Sequence, residues 1–179
     1  SQGVPVLGCQ CEVCRSSDSR DKRLRTSALV EIGDTRILID CGPDFRQQML
    51  RLPFKKLDAV LLTHIHYDHV AGLDDLRPFC WINAVNVFAQ QDVGRASITR
   101  IQVMHGKLPI LGFRIDCMAY ITDMKSMSEA EYSLLEGVEF LIINGLRWDG
   151  SHHSHQLIGE AIAFSRHFSD IKEVYITHV

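Results

Sequence analysis

Thr63-His64-Ile65-His66-Tyr67-Asp68-His69 places four candidate metal ligands, His64, His66, Asp68 and His69, within six residues. An amphipathic helix would space such groups by three or four positions, and a regular strand would set alternate residues on one face. Here His64 and His66 can share a face of an extended chain, while Asp68 and His69 reach a second centre once the chain turns. Neutral imidazoles suit zinc, and a carboxylate widens the choice to manganese or iron. The plain alternative is an exposed His-rich loop that takes up metal adventitiously. The apolar run at 58–63 just before the motif, and the helical pattern at 70–79 just after it, argue against that.

Working outward, 27–32 and 35–40 are β-rich runs split by Gly33-Asp34, a two-residue hairpin signal. Pro43 suits the first turn of a helix with Phe45, Met49 and Leu52 as its apolar stripe. Further strands are expected at 85–89, 100–104, 113–117, 119–122, 140–144 and 174–177. Helices are expected at 128–135, where Ser128 and Glu131 have capping-box spacing, and at 156–168. An early hairpin followed by strand–helix alternation implies an α/β layered fold. Asp40, His64, His105, Asp123 and His178 each fall just after a strand, the pattern of a site assembled at one edge of packed sheets.

A length of 179 residues suits a single domain, 1–179, and 46% hydrophobic with 23% charged residues is ordinary for a soluble protein. The net charge of −3 argues against a broad nucleic-acid surface but leaves a small anionic substrate open. No apolar run approaches a membrane span and nothing resembles a secretory signal, so a cytoplasmic location without a membrane partner is expected. Three of the six cysteines crowd into Cys9-Gln10-Cys11-Glu12-Val13-Cys14, too close for unstrained pairing with one another. In a reducing compartment such clusters read as metal ligands. Cys41, Cys80 and Cys117 read as small buried hydrophobes.

HxHxDH after an apolar strand, followed by Gly72, resembles the signature of the metallo-β-lactamase superfamily. The resemblance implies a four-layer αβ/βα sandwich with two divalent metal ions (zinc, manganese or iron) at the edge of its two sheets. It assigns His64, His66 and His105 to the first metal, Asp68, His69 and His178 to the second, and Asp123 as the bridge between them. Asp40 reads either as an acceptor that orients a ligand imidazole or as a strand-end turn former.

Gly3-Val4-Pro5-Val6-Leu7-Gly8-Cys9-x-Cys11-x-x-Cys14 resembles the N-terminal motif of phosphodiesterases that open phosphoribosyl cyclic phosphate. In that branch the three thiolates bind a structural zinc. A closed tetrahedral site needs a fourth ligand: in the relatives it is a histidine three residues beyond the last active-site histidine, and here His152, His153 or His167 could substitute. The segment 106–113 resembles the one that follows the third histidine in the branch. His155, in Ser151-His152-His153-Ser154-His155, aligns with a histidine that contacts the substrate phosphate and protonates the leaving group; a polar helix-entry loop is the alternative.

The resemblance therefore implies a phosphodiesterase that hydrolyses a small, cyclic phosphate ester through a metal-bridging hydroxide, with Asp68 orienting that hydroxide and His155 as the acid. Because one fold hosts many reactions, an RNA-processing nuclease, a thioester- or sulfonate-directed hydrolase, and a non-catalytic metal-binding member are the alternatives. A homodimer is expected because relatives often form one. Against those relatives the sequence lacks an N-terminal strand, an internal segment near 81–100 and the C-terminus, and the expectation is that the natural protein carries them.

Overall fold

Every residue of strand β2 (Thr35–Ile39) is buried, as befits a central strand covered on both faces. β2 lies between β1 (Ala28–Ile32) and β3 (Ala59–Leu61). It runs parallel to β3, with Ile37 opposite Ala59 and Ile39 opposite Leu61. Gly33, at φ +58, supplies the left-handed residue that the turn between β1 and β2 requires. This computed structural model describes residues 2–79 and 90–179, and these fall in two units: 2–30 with 36–79, and 31–35 with 90–179. The strand expected at 85–89, and Cys80, lie outside the described residues.

In the first unit, helix α1 (Glu12–Arg15) holds Cys14 and is capped by Cys11, with Cys9 just ahead of it, and α2 (Phe45–Met49) inserts Phe45 and Met49 into a core with Leu38, Cys41, Leu57 and Leu76. Leu52, expected to continue the stripe of α2, lies beyond its end and is 44% exposed. The long helix expected at 70–79 is instead α3 (Tyr67–Val70) followed by a 3-10 turn, Leu73–Leu76. The cause is a close backbone crossing. The Gly72 amide donates to the Cys41 carbonyl at 2.8 Å, and a Cβ on Gly72 would overlap the Gly42 carbonyl oxygen.

Gly42 is equally confined, because a Cβ there would overlap the carbonyl oxygen of Asp68. Gly42→Ala is expected to push the Asp68 segment away and to destabilise the protein by about 2 kcal/mol. A thermal unfolding midpoint equal to that of the parent would show that the crossing is looser than this.

The second unit holds one six-stranded sheet whose order follows the sequence: β4 (Gln90–Val93), β5 (Ala96–His105), β6 (Leu108–Ile115), β7 (Met118–Ile121), β8 (Phe140–Asn144) and β9 (Glu173–Thr177). The pairs from β4 to β7 are antiparallel, and β7–β8–β9 are parallel. Parallel neighbours need crossovers, supplied by a 3-10 segment (Glu129–Leu135) and by α4 (Ile158–Ser165). Both cover a core that includes Ile101, Val103, Ile121, Leu141 and Ile143.

Three expectations change here. Ser128 does cap its segment, its hydroxyl accepting from the Ala130 amide at 3.3 Å. Glu131, however, accepts from the Gln102 amide at 3.1 Å, and the helix is a 3-10 one. The helix expected at 156–168 spans only Ile158–Ser165, and the Gln156 amide ahead of it donates to the Met124 carbonyl at 2.9 Å. Cys117, expected to be buried, is exposed in the turn after Asp116, itself left-handed at φ +51. No helix among the described residues is long and apolar enough to cross a membrane.

Candidate metal centre

Asp40, immediately after β2, is left-handed at φ +60 and fully buried. A non-glycine residue in that region costs about 1–2 kcal/mol, so its surroundings must hold it there. Its carboxylate accepts from the Thr63 amide at 2.9 Å, the Thr63 hydroxyl at 2.8 Å and His69 Nδ1 at 2.7 Å. Of the two readings of Asp40, orienting a ligand imidazole is the one the geometry supports.

The donor count then fixes the tautomers. Thr63 has one hydroxyl hydrogen, and a carboxylate can only accept it. Thr63 Oγ1 must therefore accept in turn from His64 Nδ1, 3.0 Å away. His69 likewise commits its Nδ1 hydrogen to Asp40. Both rings are left with Nε2 as a lone pair, the arrangement found in metal-ligating histidines. His64 Nε2 converges on His66 Nδ1 at 2.9 Å, and His69 Nε2 lies 3.3 Å from an Asp68 oxygen. The chain turns into α3 after His66, which separates Asp68 and His69 from the extended pair as the spacing suggested. Ile65 and Tyr67 are 85% and 76% exposed.

In the second unit Asp123 and His178 follow β7 and β9, and both are left-handed, at φ +57 and +56. Asp123 Oδ2 accepts from the Thr122 hydroxyl at 2.8 Å, while Oδ1 lies 2.9 Å from both His155 Nε2 and His178 Nε2. His105, the last residue of β5, directs Nδ1 at the carbonyls of Asp123 (2.8 Å) and Ser154 (3.0 Å). Carbonyls only accept, so a neutral His105 carries its hydrogen on Nδ1. Donor atoms of His105, Asp123 and His155 fall within 4.8 Å of one another. Burial pushes the His155 imidazole below its ordinary value, against the opposing hydrogen bond with Asp123.

Thus the first unit gathers His64, His66, Asp68 and His69, and the second gathers His105, Asp123, His155 and His178. Within each unit, imidazoles with Nδ1 tied to an acceptor stand beside a carboxylate, a combination that fits a divalent cation. One participant was not foreseen in its role: Thr63 was read only as the end of a strand, and its value lies in the relay between Asp40 and His64.

The sulfurs of Cys9, Cys11 and Cys14 also lie within 4.8 Å of one another. The Cys14 amide points to Cys11 Sγ at 3.5 Å and the Val6 amide to Cys14 Sγ at 3.4 Å. The Cys14 amide, with the neighbouring thiols of Cys9 and Cys14, holds the Cys11 thiol below its ordinary range. Three thiols this close, one of them biased toward thiolate, suit a soft cation.

Comparison with known proteins gives the family and the fold. The model of the family described as "Beta-lactamase superfamily domain" matches residues 35–96. The chain is 44% identical to an octanoyltransferase of Porphyromonas gingivalis over 200 aligned positions, covering 90% of this chain and 40% of that protein. It thus spans well under two thirds of the curated relatives it matches. Among solved structures, a diphosphatase from the PhnP family is 31% identical with a TM-score of 0.90, covering 99% of this chain and 81% of that one. Zinc-bound PqqB from Methylobacterium extorquens shares the fold, with 20% identity, a TM-score of 0.75, and coverage of 99% and 85%.

Proposed function

This chain belongs to the metallo-β-lactamase superfamily, in which it resembles the PhnP branch, and from that premise we propose that it is a dinuclear-metal hydrolase of small, cyclic phosphate esters. The observation that carries this is the pair of clusters in which imidazoles with Nδ1 tied to the Asp40 carboxylate and to the Asp123 carbonyl stand beside carboxylates. In this reading His64, His66 and His105 hold one cation, Asp68, His69 and His178 hold the other, and Asp123 serves both. Zinc, manganese or iron fits that donor set, and Cys9, Cys11 and Cys14 take a structural zinc.

Divalent cations there would supply Lewis acidity toward phosphoryl oxygens and lower the pKa of water from 15.7 to about 7 in favourable cases. The chain's own part is to place and move protons. The Asp68 carboxylate orients the attacking oxygen. His155 gives a proton to the departing oxygen, and its burial makes the imidazolium the stronger acid. The net charge of −3 supports a small substrate over a polynucleotide. A second reading, hydrolysis of an acyl thioester, draws on the similarity to the octanoyltransferase.

Metal-reconstituted protein should be assayed on bis-p-nitrophenyl phosphate, cyclic nucleotides, ribose cyclic phosphate and an octanoyl thioester. Chelator-sensitive turnover of phosphodiesters is expected; cleavage of the thioester alone would overturn the assignment. His155→Ala should slow phosphodiester turnover about 100-fold, the lower end for a general acid, at unchanged metal content. Loss of metal would instead make His155 a ligand.

A further inference from the structure

We infer that the run Leu50-Arg51-Leu52-Pro53-Phe54-Lys55-Lys56, between α2 and β3, is a docking surface for an anionic lipid bilayer, met by apolar side chains at the tip and cations around them. Such docking is independent of the reaction at the metal centre.

All seven residues are exposed, and three of them are large and apolar: Leu50 at 71%, Leu52 at 44% and Phe54 at 64%. Single apolar side chains are ordinary on a surface, but three at alternate positions form a patch that a partner would cover. The patch has a firm base. The Phe54 ring lies against that of Phe79, centroids 5.0 Å apart, and Phe79 meets Phe45 of the core at 5.5 Å. The amides of Leu50, Arg51 and Leu52 donate to the carbonyls of Arg46, Gln48 and Met49 at 3.1, 3.3 and 3.1 Å. Arg36 Nη1 holds the Lys55 carbonyl at 3.0 Å.

The charge around the patch has one sign. Arg51 and Lys56 lie inside the run, and Arg46, exposed and four residues before Leu50, shares its face of the chain. No carboxylate occurs in 45–57. The two that flank it are engaged, Asp44 with Arg25 at 2.8 Å and Asp58 with the Arg36 amide at 2.7 Å. Apolar tips among cations complement an anionic headgroup layer over hydrocarbon. A protein partner fits less well, because a stable interface takes about 20–30 residues a side and this run has seven.

The placement leaves the ligand-bearing end of this unit open. β2 and β3 are parallel, and Asp40 and the HxHxDH segment follow their C-terminal ends. Lys55 is tied to Arg36 near the start of β2, and the chain enters β3 from that same, opposite end. The expectation of no membrane partner rests on the lack of a spanning apolar run; binding at the surface of a bilayer needs none.

The test is flotation of the zinc-loaded protein with vesicles of phosphatidylcholine alone or of phosphatidylcholine mixed with phosphatidylglycerol. The protein should float with the mixed vesicles at low salt, and far less with the neutral ones or at high salt. Arg51→Gln with Lys56→Gln should lower the partition about 25-fold, roughly fivefold for each cation. Leu50→Ser with Phe54→Ser should lower it about tenfold or more. Both double variants should keep the metal content and turnover of the parent, since these side chains lie outside the metal centre. No flotation at low salt, or equal partition of the parent and the Arg51→Gln, Lys56→Gln variant, would overturn the inference. So would a dimer, seen by analytical ultracentrifugation without lipid, that Leu50→Ser with Phe54→Ser dissolves, because a second copy would then cover the patch. Retention on immobilised polyglutamate without vesicle binding would give the surface to an acidic protein and overturn it too. Vesicle binding by a protein that hydrolyses no phosphodiester would support the docking and count against the phosphodiesterase reading alone.

Discussion

Asp123→Ala is expected to cost at least one of the two active-site metal equivalents and to lower phosphodiester turnover by about a thousandfold or more. Asp123 is 3% exposed, and a single oxygen of it faces both His155 and His178 at 2.9 Å. Without it the second unit loses the carboxylate around which its imidazoles gather. Lewis-acid stabilisation of a phosphoryl transition state is worth several kcal/mol, and each ~1.4 kcal/mol is a factor of ten in rate. Because the residue is left-handed at φ +57, alanine adds a small backbone penalty of its own. Asp123→Asn is the control, since asparagine tolerates that conformation and keeps a neutral oxygen. Metal analysis beside the rate separates the causes: a rate loss at full metal content would mean that Asp123 acts on the substrate and not on the cations.

Asp40→Ala should have the largest effect on stability, about 3–5 kcal/mol, because it leaves three buried donors unpaired at about 1–3 kcal/mol each. Nothing from solvent can replace this carboxylate, because Asp40 and His69 are both fully buried. The substitution strands the Thr63 amide, the Thr63 hydroxyl and the His69 Nδ1 hydrogen together. Against a typical domain stability of about 5–15 kcal/mol, the midpoint of thermal unfolding should drop by many degrees. Metal affinity should fall about 10–100-fold as His64 and His69 lose their fixed tautomers. Asp40→Asn, which keeps one acceptor and the backbone shape, should fall between the parent and alanine. An unfolding midpoint within a degree of the parent in Asp40→Ala would refute the role given to the Asp40–Thr63–His relay.

Much of this was legible before any coordinates, and the reason is local. A short apolar strand followed by HxHxDH announces itself because period-two spacing gives way abruptly to adjacent ligands at Asp68 and His69. His105, Asp123 and His178 were visible as polar residues at the ends of apolar runs, and β5, β7 and β9 end at or next to them. What escaped detection depends on contacts distant in sequence. The break of the helix expected at 70–79 comes from the Gly42–Gly72 crossing, which no pattern within either segment records. The left-handed backbone of Asp40, Asp123 and His178 is invisible because aspartate and histidine are ordinary strand-end residues. The Thr63 relay needs Asp40, more than twenty positions upstream. Glu131 had the spacing of a capping box but found a better donor on β5.

The most direct measurement is an anomalous-difference map from crystals of the manganese- or zinc-loaded protein. Two peaks beside the HxHxDH segment are expected, one ligated by His64, His66 and His105, the other by Asp68, His69 and His178, with Asp123 touching both. A single peak, or peaks that leave His105, Asp123 and His178 without a metal, would contradict the dinuclear centre and the hydrolase built on it.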